Sequence, residues 1–152
     1  MKPRILIAVD LGTASDLLID TGFSLAQTLH AEPYLLYTYA FPPPSPTSFY
    51  PEASRAIYEQ AKLDLRRLVR DKVPAPRDEQ LLARSGPAAR LIVDAARELG
   101  VELIVMGTHR MRGIERLVVG STAESVTRRA ACPVLVVPCP TPNSRETVAD
   151  LS

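Results

Sequence analysis

The sequence has few of the residues that mark specialised classes of protein. Its two cysteines are too few for a disulfide framework, and no histidine stands near them at the spacing of a zinc site. No apolar run approaches the ~20 residues that a membrane-spanning helix needs. The 18 basic and 17 acidic residues leave a net charge of +1, so no strong attraction to polyanions is expected. We therefore predict a protein that binds neither nucleic acid nor membranes.

Recognised enzyme signatures are also missing from the sequence. It contains no GxxxxGK[ST] phosphate loop, HExxH metal motif or GxSxG nucleophile elbow, and no GxGxxG fingerprint follows the first predicted strand. The apolar run Ile5–Val9 is too short for the core of a signal peptide and is followed by Asp10. We expect a cytoplasmic protein that is not an enzyme, with slow hydrolytic turnover as the alternative, and that has no metal site of its own.

What the chain does contain is an alternation of apolar strands and amphipathic helices. Apolar residues make up 46% of the sequence, enough for the core of one domain, assigned to residues 1–140, with a disordered tail at 141–152. The pattern predicts strands at Ile5–Val9, Tyr34–Tyr39, Glu79–Arg84, Leu103–Met106 and Val134–Val137, and helices at Ala14–Leu29, Glu52–Arg70, Ala88–Leu99 and Thr122–Ala131. This alternation predicts an α/β fold with an open, five-stranded parallel sheet and helices on both faces.

The proline-rich segment 42–51 interrupts this pattern. Proline lacks an amide donor and restricts the residue before it, so the segment is neither a regular helix nor a central strand. We interpret it as an extended surface connection; the alternative is a docking motif for a proline-binding partner.

The most informative stretch is Leu103–Val137, in which a glycine-bearing loop joins a strand to a helix. Gly107 is predicted to close the strand, and Gly120-Ser121-Thr122 opens the helix, with Ser121 or Thr122 as its cap. Backbone amides at a helix start carry partial positive charge and can hold phosphate oxygens. The alternative is that the glycines only allow the chain to reverse direction.

This stretch resembles the universal stress protein family. The family signature is glycine, two residues, glycine, nine residues, and glycine followed by serine or threonine. Gly107 matches the first glycine, Gly120-Ser121 match the last pair, and Arg110 stands in the place of the middle glycine. The resemblance extends from Ile5 to about Pro138. It implies a Rossmann-like sheet of strand order 3-2-1-4-5, whose ligand crevice lies beyond the ends of strands 1 and 4.

The resemblance also implies a ligand and a partner. Members of the family divide into nucleotide binders and non-binders. The leading hypothesis is a stress-response protein that binds ATP, together with Mg²⁺; the alternative is a scaffold of the same fold that binds no nucleotide. The nucleotide-binding residues implied are Val9, Asp10, Thr38, Met106, Gly107, His109, Arg110, Gly120, Ser121 and Thr122. A homodimer is implied through the last strand, at Val134, Leu135, Val136 and Val137.

Two of these residues have competing interpretations. Asp10 can accept hydrogen bonds from a nucleoside, or it can cap the turn that follows strand 1, and both roles can hold together. Arg110 can obstruct the loop, because a left-handed conformation there would cost roughly 1–2 kcal/mol, or it can bind phosphate through its guanidinium. His109 has no nucleophile or second base at a telling spacing, so we expect it to pack in the loop or lie near phosphate.

Overall fold

Five strands alternate with four α-helices in the computed structural model, which describes residues 1–12, 15–40, 51–109 and 119–139. The strands are β1 (Arg4–Val9), β2 (Glu32–Tyr39), β3 (Leu81–Ser85), β4 (Leu103–His109) and β5 (Val134–Cys139). The helices are α1 (Ser15–Thr28), α2 (Pro51–Leu68), α3 (Ala88–Leu99) and α4 (Ser121–Arg129), and a 3₁₀ turn, Asp78–Gln80, precedes β3. Of the predicted segments, the tail at 141–152 and most of the proline-rich connection lie outside the described residues, whereas Pro51 opens α2.

The sheet is parallel throughout, in the order β3-β2-β1-β4-β5, which confirms the predicted fold class. Strand β1 lies at the centre because it is apolar on both of its faces. Ile5, Ile7 and Val9 pack on the side of α1 and α2, and Leu6 and Ala8 on the side of α3 and α4. The winding reverses between β1 and β4, where Ala8 pairs with Met106, and this opens a crevice at the carboxyl ends of both strands.

Helix α1 approaches this central strand unusually closely. A Cβ built on Gly22 would lie 2.5 Å from Ile7 Cδ1 and 2.7 Å from its Cγ1, so the helix backbone occupies the space where a side chain would stand. Gly22 therefore allows the middle of α1 to pack directly on the middle of β1.

Two predicted features of the elements are wrong. Gly107 does not close β4: the strand continues to His109 because Gly107, Thr108 and His109 pair with residues of β5, which itself continues to Cys139. The amphipathic helix predicted at Glu52–Arg70 packs on the core only in its second half, where Ala61 and Leu65 are buried. Residues 51–60 are all exposed, because the sheet covers only the second half of this helix.

Candidate functional site

A crevice of about 180 Å³ lies between the carboxyl ends of β1 and β4. Six of the residues that the sequence placed in a binding site line it: Val9, Asp10, Thr38, Met106, Gly107 and Thr122. Further walls are supplied by Ala8, Leu18, Leu36, Ala88, Ile92 and Cys139. The volume is below the roughly 300–1,000 Å³ of ligand pockets for drug-sized molecules. The described walls therefore suit one part of a drug-sized ligand, and the rest of that ligand would lie along the mouth of the crevice.

One end of the crevice is mostly apolar. Met106, which is 4% exposed, lies in the same layer as Leu36 and Ile92, between β2, β4 and α3. Thr38, near the end of β2, adds a partly exposed hydroxyl to this wall. Aliphatic walls with one polar side chain suit a flat ring with a polar edge.

Asp10 immediately follows β1 and organises the turn that leads into α1. Its Oδ1 accepts a hydrogen bond from the Gly12 amide at 3.3 Å. The buried Ser15 hydroxyl donates to the Asp10 carbonyl and lies 3.5 Å from the same Oδ1. The capping role is thus confirmed. It is compatible with ligand binding, because a carboxylate offers about four acceptor positions on its two oxygens.

Gly107 is a glycine because of its neighbour in β5. A Cβ built at this position would lie 2.7 Å from Cys139 Sγ and 3.7 Å from Leu18 Cδ2. Burial raises the pKa of the Cys139 thiol, and the negative charge of Asp10 raises it further. The buried sulfur is therefore a neutral packing atom beneath the crevice, and no motif in the sequence singled it out.

The start of α4 differs from the prediction in its cap. Gly120 is the N-cap residue, and no side chain caps the helix, because Ser121 and Thr122 already lie inside its first turn. Thr122 lines the crevice, whereas Ser121 is exposed. The first amides of a helix have no partner within it, so they are available to an anion at this point.

Gly120 differs from Gly107 in what surrounds it. Its φ of −62° and ψ of 160° are open to any residue. A Cβ built here would meet Thr108 Oγ1 at 3.8 Å, an ordinary contact, and nothing nearer. Neither backbone strain nor packing among the described residues requires glycine at this position.

Thr108 is a site residue that the sequence reasoning missed. Its side chain is 2% exposed, and its Oγ1 accepts a hydrogen bond from the Gly120 amide at 3.2 Å. The signal was present in the alternation of β4: Ile104 and Met106 face α3 and α4, so Thr108 faces the same side. The hydroxyl connects the end of β4 to the start of α4.

The remaining predicted site residues divide between the edge of the site and the undescribed loop. His109 ends β4 opposite Cys139, and Arg110 lies outside the described residues. Within the described ranges, no three His, Cys, Asp or Glu side chains come together as they would to hold a metal ion. None of the described helices is long and apolar enough to cross a membrane.

Comparison with known proteins identifies the family. The sequence matches the model of the universal stress protein family over residues 1–138, which include every strand but the last residue of β5. The chain belongs to the universal stress protein family.

Among relatives of this universal stress protein, universal stress protein A homolog 1 of Coxiella burnetii is 30% identical over 143 residues, which cover 88% of the chain and 94% of that protein. A putative universal stress protein from Pseudomonas aeruginosa has a similar structure, with a TM-score of 0.69 and 25% identity over 91% of this chain, but the match spans 48% of that longer chain. A universal stress protein crystallised in complex with cAMP matches with a TM-score of 0.59 and 20% identity, over 90% of this chain and 97% of that one.

Proposed function

We propose that this universal stress protein binds ATP in the crevice between β1 and β4 and acts as a nucleotide-responsive regulator in the cytoplasm. The observation that carries the proposal is that no described residue lies closer than an ordinary contact to a side chain built at Gly120. Among the described residues nothing requires the glycine at the start of α4, and Thr122, in the first turn of this helix, lines the crevice. A side chain there would occupy the position that a phosphate needs in order to reach those amides.

The other parts of the crevice suit the remainder of the nucleotide. The aliphatic walls around Met106, with the Thr38 hydroxyl, are of a kind that accepts adenine. Asp10 offers a carboxylate to ribose hydroxyls at the end of β1. The triphosphate would then extend toward Gly120 and Thr122, and we propose Arg110 and His109 as further residues along its path. The relative crystallised with cAMP supports this assignment, because it shows that a protein of this fold can hold an adenine nucleotide.

Mg²⁺ fits this site as an ion that the nucleotide brings with it. Magnesium keeps several waters and usually takes phosphate oxygens with one or two carboxylates, so it does not need a cage made of protein. Asp10 is the carboxylate on the described wall of the crevice and would be its protein ligand. The ion would neutralise phosphate charge near Asp10. No described side chain is placed as a general base beside the phosphate end, so occupancy, rather than turnover, is the signal we propose.

The proposal predicts that Gly120→Val weakens ATP binding and leaves the fold intact. The added methyl groups would occupy the space in front of the α4 amides, while the nearest atom of the described residues to the new Cβ, Thr108 Oγ1, is 3.8 Å away. ATP affinity, measured by calorimetry on nucleotide-stripped protein with Mg²⁺, should fall at least about tenfold, the loss of one to two charge-assisted hydrogen bonds. Adenosine affinity should change little.

Gly120→Asp provides the matched variant. Aspartate is among the best N-cap residues, so the free energy of unfolding should be maintained or should rise, while its charge repels the triphosphate. Wild-type protein that does not bind ATP with Mg²⁺ at millimolar concentration would contradict the proposal. The nucleotide-free scaffold would then be the better description of this chain.

We also propose that the protein forms a homodimer through β5. This strand is at one edge of the sheet, and its outer edge has no partner among the described residues. Leu135 is 38% exposed on it, whereas Val134 and Val136 are partly buried against the α3 and α4 side and Val137 is buried on the α1 side. Pairing of two such edges would cover Leu135 and give the dimer that the resemblance implies.

A further inference from the structure

We propose that Thr108 is a positioning residue for the phosphate end of the crevice, an inference that rests on the proposed ATP site. The Thr108 hydroxyl would set where the first amides of α4 point, without contacting the nucleotide base or ribose. Thr108 would then determine how strongly the protein distinguishes a triphosphate from the bare nucleoside.

The Thr108 hydroxyl stands at the head of the hydrogen bonds that start α4. Thr108 Oγ1 accepts from the Gly120 amide at 3.2 Å, and the Gly120 carbonyl accepts from the Glu124 amide at 2.9 Å, which begins the helical ladder of α4. The residue fixed by Thr108 is therefore the one from which the helix starts. Because no side chain caps α4, the Thr108 hydroxyl is the side-chain group that bonds to the N-cap residue among the described residues.

The strand that carries Thr108 is itself held firmly. Thr108 is paired opposite Pro138 of β5, and its side chain is 2% exposed, so the hydroxyl has little freedom to follow a displaced helix. The Gly120 backbone has the opposite character, because no side chain of its own anchors it. One hydrogen bond thus links the end of β4 directly to the N-cap residue of α4, a helix whose other described anchors are the buried side chains of Ala123 and Val126.

The same contact separates the two ends of the crevice. Thr38 and Met106, which we assign to the base, lie on β2 and β4 and would not move with α4. A contact needed only for general stability would weaken every ligand equally through loss of folded protein. A positioning contact would weaken only ligands that carry phosphate.

The experiment compares Thr108→Val, which keeps the shape of the side chain and removes its oxygen, with Thr108→Ser, which keeps the hydroxyl. Affinities for ATP with Mg²⁺ and for adenosine are measured by calorimetry, and the Gly120 amide is followed by hydrogen exchange in nucleotide-free protein. For Thr108→Val we expect ATP affinity to fall roughly 2- to 10-fold, the range of a single hydrogen bond. Adenosine affinity should stay within about twofold of wild type, and exchange at Gly120 should accelerate. Thr108→Ser should keep both the ATP affinity and the Gly120 exchange rate of wild type.

The outcomes separate this inference from the function on which it rests. If wild-type protein binds neither ligand, the ATP site and the positioning role both fail. If wild type binds ATP but Thr108→Val loses ATP and adenosine affinity equally, or loses neither, the positioning role is wrong and the ATP site stands. Unchanged exchange at Gly120 in Thr108→Val would also overturn it, because the hydrogen bond would then not hold the helix start.

Discussion

The contact between Gly107 and Cys139 makes a sharp prediction about why the first motif glycine is present. In Gly107→Ala the new Cβ would be built 2.7 Å from Cys139 Sγ, whereas ordinary contacts between such atoms are about 3.5–4.0 Å. Roughly 1 Å must be recovered by moving the buried sulfur or by separating β4 from β5. The backbone oxygen of Val137, 3.8 Å from the same point, leaves little room on that side.

The expected magnitude follows from this overlap. Overpacking of a core by one methyl group typically costs 1–3 kcal/mol, and we expect about 2 kcal/mol for Gly107→Ala because the atom that must move is the Sγ of a short, buried side chain. Cys139→Ala alone should cost about 1 kcal/mol, since it removes one buried atom and leaves a small cavity. In the double variant the clash disappears. The two changes should therefore be less destabilising together than their sum, with a coupling of about 1–2 kcal/mol.

Urea denaturation of the wild type and the three variants measures this coupling, provided that the slopes of the transitions agree. Additivity within about 0.5 kcal/mol would refute the explanation, because Cys139 would then not be what excludes a side chain at position 107. ATP binding to the double variant gives a second readout. If packing is the whole reason for the glycine, that variant should bind ATP as wild type does.

The remaining predictions concern charge. The Arg66 guanidinium, 2.8 Å from Asp78, holds the pKa of that carboxyl below its usual value. This stabilisation is complete above the unfolded pKa of about 3.9 and is lost as pH falls through the lower folded pKa. Urea unfolding between pH 7 and pH 3 should show this loss of stability, and Asp78→Asn should make the loss smaller. An acid dependence that is the same in Asp78→Asn as in wild type would contradict the prediction. Leu135→Glu should turn the dimer into a folded monomer, because pairing through β5 would bury an unpaired charge. Analytical sedimentation tests this prediction at tens of micromolar protein, a range chosen for a weak dimer. A monomeric wild-type protein at that concentration would contradict the proposed dimer.

The fold could be predicted because its signals are local. The apolar run in β1 indicated a strand covered on both faces, and the alternation of elements indicated a parallel sheet. The exposed half of α2 could not be predicted, because helical periodicity shows which face is apolar but not how far the sheet extends beneath it. Buried Lys62 shows the same limit: its charge is held by carbonyls of Asp78 and Leu81, more than a dozen residues away in sequence.

The site was predicted where a residue's role follows from its place at the end of a strand. Asp10 and Gly107 were expected at the crevice because parallel strands end at the same edge of the sheet, whereas Thr38 and Met106 were expected there only from the family resemblance. Thr108 and Cys139 were missed, because each acts through a contact with an element that is distant in sequence. Ser121 and Thr122 were expected to cap α4, but the helix begins one residue earlier and Gly120 takes the cap position.

The two described glycines of the motif therefore carry different information about the ligand. Gly107 is required by Cys139, so its presence would be expected in this chain even without a nucleotide. Gly120 is required by neither its φ nor the described residues around it, which is why the proposed ATP site rests on it. The family spacing gives the two glycines equal weight as signs of a nucleotide site, whereas their contacts in the structure differ. Evidence for ATP binding in this protein thus concentrates at the start of α4, where Gly120→Val and Thr108→Val both act.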